Sequence, residues 1–206
     1  MNDFDLRAAQ WDANPIKQEC ARAVARAIID MVPLHQQRRV LEYGCGTGLL
    51  GFQLQPHCDQ LLLADSSTGM LDVLSTKIAR QRITNMTPLN LDLTRDPLPS
   101  LRCDLVVTLM TVHHVRDVSS LLCSFCGLLD RPGYLCIADL DREDGTFHGA
   151  GFSGHAGFER SWLRDRVREA GFSQVRIVTA YRMPRYVGST LRYFSLFLLV
   201  AHKPCV

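Results

Sequence analysis

The stretch Val40-Leu41-Glu42-Tyr43-Gly44-Cys45-Gly46-Thr47-Gly48-Leu49 decides how this chain folds. A short apolar segment runs into a loop that holds three glycines, and a helix is predicted to follow. Glycine lets the backbone turn sharply and come close to a ligand, and the first turn of a helix offers unpaired N–H groups. The stretch therefore predicts a strand–loop–helix unit that binds a nucleotide-like ligand.

A carboxylate stands at the matching place on the next predicted strand. Asp65 ends that strand about 20 residues after the first glycine, the spacing expected of a residue that binds a ribose. Gly46, Gly48 and Gly51 also fit the G-x-G-x-x-G pattern of dinucleotide-binding proteins, so this alternative stays open. Glu42 favours a cationic ligand, because a negative charge beside the loop would oppose a pyrophosphate.

On both sides of this stretch, the spacing of the apolar residues predicts helices and strands that alternate along the chain. A helix over 15–31 begins with Pro15, and Pro33 follows its end. Further helices are predicted from the glycine loop to about residue 55 and over 68–81, 119–129 and 158–170. Strands are predicted over 39–43, 60–65, 86–91, 103–109, 134–140, 174–181 and 193–202.

This order of elements predicts an α/β protein of the Rossmann-like, doubly wound kind. Alternating strands and helices give a mostly parallel sheet, here of seven strands. The last two strands have no helix between them, so we expect a C-terminal antiparallel hairpin. In such sheets ligands bind beyond the carboxyl ends of the strands, near the point where the strand order reverses.

Composition excludes several classes of protein. The chain has 206 residues and a formal net charge of +2, and its basic residues form no run of the kind that binds nucleic acid. The longest apolar run, 194–201, is too short for a membrane span. The segment 1–5 lacks the features of a signal peptide. We therefore expect a cytoplasmic monomer or homodimer whose eight cysteines are reduced.

Four segments together resemble the class I S-adenosylmethionine (SAM)-dependent methyltransferases. They are LEYGCGTGLL (41–50), LLLADSSTGML (61–71), NLDL (90–93) and DLVVTLMTVHHVRD (104–117). The similarity covers about 38–140 and is greatest to the small-molecule branch that includes ubiquinone- and menaquinone-type enzymes. It implies one domain with an N-terminal helical segment (1–33), a SAM-binding core (38–140) and an acceptor-side part (141–206).

The resemblance also implies which residues bind the cofactor. Asp65 would bind the ribose and Met70 would lie near the adenine, while Asp92 and Leu93 would contact the adenine amino group and ring. The backbone at Leu109 would lie beside the methionine part of SAM. The cofactor-binding residues implied are Glu42, Tyr43, Gly44, Gly46, Asp65, Ser66, Met70, Asp92, Leu93 and Leu109.

A second group of residues is expected to face the methyl acceptor. His114, just after the fourth strand, is the candidate general base or orienting residue, because the imidazole pKa lies near neutrality. Its neighbour His113 is also placed in the acceptor pocket, although adjacent strand residues face opposite ways. His148 and His155 lie in the long loop after the fifth strand, where lids and binding loops are common.

Two features near these residues keep alternative interpretations. Trp11 is placed with the acceptor-pocket residues, in an N-terminal stretch that either covers the cofactor or packs on the surface as a helix. Asp139, Asp141 and Asp144 are expected to form a solvated turn, and no metal site is predicted.

The expected reaction is methyl transfer from SAM to an O, N, S or C atom of a small molecule, which gives S-adenosylhomocysteine. Two alternatives remain open. One is an NAD-dependent oxidoreductase, and the other is a catalytically silent SAM-binding partner protein.

Overall fold

The computed structural model describes residues 3–34 and 38–205. Its seven strands are β1 (Arg39–Tyr43), β2 (Gln60–Asp65), β3 (Met86–Asn90), β4 (Cys103–Leu109), β5 (Leu129–Leu140), β6 (Ser173–Val187) and β7 (Thr190–Lys203). Its α-helices are α1 (Asp3–Arg7), α2 (Pro15–Met31), α3 (Gly51–Leu54), α4 (Thr68–Gln81), α5 (Val118–Leu128) and α6 (Arg160–Glu169). Met1, Asn2 and Val206, which the expected domain boundaries include, lie outside the described residues.

The strands form one sheet in the order β3-β2-β1-β4-β5-β7-β6. β7 pairs antiparallel with both β5 and β6, and the other neighbouring pairs are parallel. The predicted fold class is therefore confirmed. The strand order reverses between β1 and β4, so the loops after these two strands meet at the sheet edge where ligands bind in this architecture.

Alternating strand residues supply two apolar cores, one on each face of the sheet. Val40 and Leu105 pack with the helices α2, α3 and α4, whereas Leu41 and Val106 pack with α5 and α6. This division follows from the strand period of two, which turns successive side chains to opposite faces. Helices on both faces bury the parallel strands, as their continuous apolar sequences predict.

Some element bounds differ from the sequence prediction. β5 begins at Leu129, although residues 131–133 are predicted to end the preceding helix. It continues there because Gly133 pairs with Lys203 on β7. β6 and β7 are also longer than predicted, since backbone pairing between them continues from Ser173 to Val187. α3 is shorter and passes into a 3-10 turn over Gln55–His57.

The N-terminal segment packs onto the sheet domain. α1 is followed by a 3-10 segment, Ala8–Ala13, and both lie against α4. Asp5 Oδ1 accepts hydrogen bonds from the hydroxyl of Ser67 (2.6 Å) and the N–H of Gly69 (3.1 Å) at the start of α4. Among residues 3–34 and 38–205, no helix has the length and apolar character that a membrane span requires.

Candidate active site at the carboxyl edge of β1 and β4

The glycine loop after β1 is built around close backbone contacts. Gly44 (φ +71°) and Gly46 (φ +53°) both adopt the left-handed conformation that favours glycine. A Cβ on Gly44 would lie 2.2 Å from Thr111, so this glycine allows the loops after β1 and β4 to touch. A Cβ on Gly46 would meet nothing closer than Trp11 Nε1 at 3.8 Å and Met70 Sδ at 3.9 Å. A Cβ on Gly46 would therefore make only ordinary van der Waals contacts, with the side chains of Trp11 and Met70.

Asp65 ties the glycine loop to the end of β2. Its Oδ2 accepts a hydrogen bond from the Gly46 N–H (2.7 Å), and its Oδ1 accepts one from the Ser67 N–H (2.8 Å). Burial raises the pKa of this half-buried carboxyl, while the two N–H groups act in the opposite direction. Asp65 therefore stands beside the glycine loop, and its role as a ribose ligand stays a prediction. Ser66, next in the chain, is exposed.

Glu42 lies beneath the loop. Its side chain is buried, and Oε2 would lie 2.7 Å from a Cβ on Gly51 at the start of α3. Oε2 has no hydrogen-bond partner among the described residues. Burial, and to a smaller extent the nearby Asp65, raise the pKa of Glu42 to about 8. The negative charge assumed in the sequence argument is therefore wrong, because burial keeps this carboxyl mostly protonated near neutral pH.

Three further residues of the predicted cofactor set have side chains in local or core contacts. The buried ring of Tyr43 packs edge-on against Phe125, 5.4 Å between centroids, and burial raises its pKa to about 12. Asp92 accepts hydrogen bonds from the N–H (3.0 Å) and hydroxyl (2.6 Å) of Thr94. Leu93 packs against the core that contains Tyr43.

The N-terminal segment covers the glycine loop. Asp12 accepts a hydrogen bond from the Thr47 hydroxyl and one from Lys77 Nζ, the latter at 2.6 Å. The Phe4 ring lies 5.9 Å from the Trp11 ring and 5.4 Å from the His114 ring, between centroids. The segment therefore lies against the glycine loop, and its role in covering a bound cofactor stays a prediction.

Three imidazoles meet at the exit of β4. His113 is fully buried, and its Nε2 lies 3.0 Å from Nε2 of His148. The ring of His114 lies 4.2 Å from that of His113 and 5.4 Å from that of His148, between centroids. Each ring offers one nitrogen, and these three atoms lie within 4.8 Å of one another. We call His113, His114 and His148 the histidine cluster.

The two adjacent histidines share the cluster because they do not lie on a strand. Val112–His114 forms a 3-10 turn, so the expectation that neighbouring side chains face opposite ways is wrong here. The Thr111 hydroxyl, just before this turn, donates to the carbonyl oxygens of Leu109 (3.1 Å) and Gly44 (3.3 Å). This contact links the histidine cluster to the glycine loop.

Asp139 holds the buried member of the cluster. Its Oδ1 lies 2.6 Å from His113 Nδ1, and its Oδ2 accepts the His113 backbone N–H at 3.1 Å. Because a carboxylate only accepts, Nδ1 of His113 carries a proton in this contact, which leaves Nε2 to face His148. Asp139 is fully buried, so its expected place in a solvated turn is wrong. One signal was present in the sequence: Asp139 interrupts an otherwise apolar strand.

The other two carboxylates of that segment do form surface ion pairs. Asp141 pairs with Arg160 at 2.6 Å, and Asp144 pairs with Arg192 at 2.9 Å. Hydrogen bonds from Thr146 and Arg192 lower the pKa of Asp144 to about 2.

The environment of the cluster keeps its accessible imidazoles neutral. Desolvation, followed by the neighbouring His113, lowers the pKa of both His114 and His148 to about 4. His114 stands at the exposed rim of the cluster and His148 is half-buried. An aromatic collar surrounds them: Phe152 stacks on His148 at 3.9 Å, and its edge meets His114 at 5.3 Å, between centroids.

His155 lies apart from the other three. Its Nε2 lies 3.0 Å from the carbonyl oxygen of Val115, and its backbone N–H donates to the carbonyl oxygen of His113 at 2.7 Å. These bonds tie the loop after β5 to the 3-10 turn, while the imidazole points away from the histidine cluster.

Comparison with known proteins agrees with this fold and loop geometry. Residues 40–133 match the family described as a methyltransferase domain. Over this part the chain is therefore similar to SAM-dependent methyltransferases, which supports SAM as the methyl donor.

One relative is an uncharacterized methyltransferase of Schizosaccharomyces pombe. It is 29% identical over 155 residues, which cover 68% of this chain and 55% of the relative. The chain thus spans about half the length of this curated relative.

Two solved structures show the same fold at low sequence identity. The YcgJ protein of Bacillus subtilis is 14% identical, with a TM-score of 0.75 over 88% of this chain and 98% of that one. Phosphoethanolamine N-methyltransferase 2 of Haemonchus contortus, solved with SAM, is 14% identical. Its TM-score is 0.72 over 99% of this chain and 60% of that one.

Proposed function

We propose that this protein transfers the methyl group of SAM to an oxygen, nitrogen, sulfur or carbon atom of a small-molecule acceptor. The observation that carries the proposal is the contact between the two loops. Thr111 bonds to Gly44 (3.3 Å), so the histidine cluster lies beside the loop that defines the family. A donor at one loop and an acceptor at the other would meet across this contact.

The residues around the glycine loop fit the donor. In front of Gly46, the side chains of Trp11 and Met70 stand 3.8 and 3.9 Å from the position of an added Cβ, and the proposed donor would lie between them. The carboxylate of Asp65 stands beside it and can accept hydrogen bonds from the two ribose hydroxyls. In this proposal the binding set is the one implied by the sequence: Glu42, Tyr43, Gly44, Gly46, Asp65, Ser66, Met70, Asp92, Leu93 and Leu109.

Three residues of that set already make contacts within the protein, so each needs a role that fits them: Tyr43, Asp92 and Glu42. Tyr43 would act through its backbone, because its ring is committed to the core beside Phe125. Asp92 would have to exchange a local bond from Thr94 for one from the adenine amino group. Glu42 would support the loop from below, since its carboxyl packs against the start of α3.

The histidine cluster fits the acceptor. His114 and His148 are its two members that are not fully buried, so we assign them to contact with the acceptor. His114 would orient the nucleophilic atom or take its proton. Asp139 would stabilise any positive charge that reaches His113, as a buried carboxylate does for an imidazole in acyl-transfer enzymes.

Aromatic side chains line the same place. Phe4 meets both Trp11 and His114, and Phe152 stacks on His148. SAM supplies an electrophilic methyl group on a sulfonium. The task of the chain is then to hold two reactants in line and to exclude water. A narrow apolar collar of this kind suits a small acceptor, and the dispersed basic residues give no surface for nucleic acid.

Two measurements test the proposal. Calorimetry should show binding of SAM and S-adenosylhomocysteine and none of NAD. Incubation with SAM and a panel of small alcohols, phenols, amines and thiols should release S-adenosylhomocysteine with at least one acceptor. Binding of NAD without SAM would overturn the cofactor assignment. SAM binding with no turnover on any acceptor class would favour the catalytically silent alternative.

A further inference from the structure

We propose that His113, His114 and His148 form a binding site for a divalent first-row transition metal of the Zn²⁺ type. Three imidazoles converge here, and each offers one nitrogen within 4.8 Å of the others. Imidazole is a ligand that zinc, copper, nickel and iron accept readily, whereas Mg²⁺ and Ca²⁺ prefer oxygen. The chemistry of the cluster therefore selects the class of metal.

The spacing of the nitrogens fits one tetrahedral ion. With Zn–N bonds of about 2.0–2.1 Å, ligand nitrogens lie about 3.3 Å apart. His113 Nε2 and His148 Nε2 are 3.0 Å apart, and the whole set spans no more than 4.8 Å. Adjustments of less than about 2 Å, within the reach of side-chain rotation in a loop residue such as His148, bring the three to a common centre.

Asp139 provides the outer support that such sites use. Imidazoles that bind metals usually donate their second ring N–H to a carboxylate or carbonyl, which fixes the tautomer and the ring orientation. The 2.6 Å contact between Asp139 Oδ1 and His113 Nδ1 has this form, and it directs the lone pair of His113 Nε2 at His148. His148 would bind with its proton on Nδ1, because its Nε2 is the atom that faces the cluster.

The surroundings hold two of the rings in place from outside. Phe152 stacks on His148 with 16° between the ring planes, and Phe4 and Phe152 meet His114 edge-on at 5.4 and 5.3 Å between centroids. A site with three protein ligands leaves one tetrahedral position open. The next step rests on the proposed function: the open coordination position would take water or an oxygen, nitrogen or sulfur atom of the acceptor.

The test is direct metal binding, without SAM or an acceptor. Chelator-treated protein is titrated with Zn²⁺ by calorimetry and with Co²⁺ by visible absorption, where tetrahedral nitrogen coordination gives intense bands. We expect one ion per chain. His148→Ala and His114→Ala should each weaken binding at least about tenfold, and Asp139→Asn should weaken it by about 10- to 100-fold.

Matched controls separate this site from adventitious binding. His155→Ala removes a neighbouring imidazole outside the cluster and should bind metal as the wild type does. Cys123 and Cys205 are exposed thiols that also bind zinc, so loss in the histidine variants is the decisive result. Circular dichroism checks folding, and His114, at the exposed rim, gives a usable variant if His148→Ala fails to fold.

The outcomes distinguish this inference from the proposed function. No binding at micromolar Zn²⁺, or equal binding by wild type and the folded His148→Ala or His114→Ala variants, overturns the metal site. Metal binding without methyl transfer leaves the metal site standing and overturns only the proposed function. Methyl transfer by metal-free protein that also fails to take up metal overturns only the metal site.

Discussion

Nδ1 of His113 lies 2.6 Å from Oδ1 of Asp139, and both side chains are completely buried. A buried carboxylate costs several kcal/mol unless it is partnered, and Asp139 also accepts N–H groups from His113 (3.1 Å) and Leu140 (2.7 Å). Well-packed apolar residues stabilise a fold at least as well as such a pair. The pair is better explained by its position, because Asp139 holds the His113 imidazole beside His114 and His148.

Asp65→Ala should weaken SAM binding by about 1.5–3 kcal/mol, the range for hydrogen bonds to a charged group. That is a rise in Kd of about 10- to 150-fold. The loss has two sources: the proposed ribose contact, and the bonds that Gly46 and Ser67 donate to this carboxylate. Calorimetry measures it. Asp59→Ala, an exposed carboxylate just before the same strand, should bind SAM normally. A folded Asp65→Ala variant with unchanged affinity would remove Asp65 from the site.

Gly46→Val should abolish detectable SAM binding while leaving the chain folded. The added side chain would enter the space between Trp11 and Met70 and would resist a φ of +53°. Left-handed backbone costs a non-glycine residue about 1–2 kcal/mol.

A second glycine separates this strain from the loss of ligand space. Gly188, at φ +59° with nothing within 4 Å of its added Cβ, lies in the β6–β7 turn. Gly188→Val should show a similar loss of thermal stability and normal SAM binding. If Gly46→Val binds SAM as Gly188→Val does, the ligand does not lie in front of Gly46.

Glu42→Gln should raise the free energy of unfolding at about pH 8 by about 1–3 kcal/mol. Burial raises the pKa of Glu42 from 4.5 to about 8. The folded state therefore holds this proton more tightly than the unfolded state, and its stabilising effect is full below pH 4.5. It is lost as the pH rises to about 8. Glutamine does not titrate, so it avoids that loss but leaves an amide group to be partnered.

Urea unfolding at about pH 5 and pH 8 measures this difference. The gain from Glu42→Gln should shrink at the lower pH, because pH 5 lies only just above the unfolded-state pKa of 4.5 and most of the wild-type loss occurs between there and pH 8. Glu159→Gln, an exposed carboxyl, should change little at either pH. A gain that is equal at both values would contradict the proposed cause.

The sequence predicts those elements whose signals are local. The bounds of α2 and α4 are found as predicted because both helices carry their own caps. The Asn14 side chain accepts the Ile16 N–H at 2.9 Å, and the Ser67 hydroxyl accepts the Met70 N–H at 3.2 Å. The length of β5 and of the final hairpin depends on pairing between distant residues such as Gly133 and Lys203, which no local pattern reports.

The residues of the candidate site also fall into two kinds, those that a local sequence signal predicts and those that depend on contacts between distant residues. Asp65 was predicted from a spacing along the chain, and its bond to Gly46 agrees with it. The partnership of His113 and Asp139 joins residues 26 positions apart and depends on how deeply each is buried. Neither property can be read from the residues themselves, and the 3-10 turn that brings His113 beside His114 has no strong sequence signal.

His114→Ala should lower turnover and leave SAM affinity nearly unchanged, the pattern of a residue that acts on the acceptor. His114 touches Phe4 and the other two imidazoles and lies apart from the space in front of Gly46. If it takes a proton during transfer, the rate should fall by about 10²- to 10⁴-fold. If it only orients the acceptor, the fall should be smaller.

The readout is steady-state release of S-adenosylhomocysteine, with calorimetry of SAM binding alongside. His57→Ala, in the 3-10 turn that follows α3, should leave both unchanged. Equal losses of SAM affinity and turnover would assign His114 to the cofactor instead.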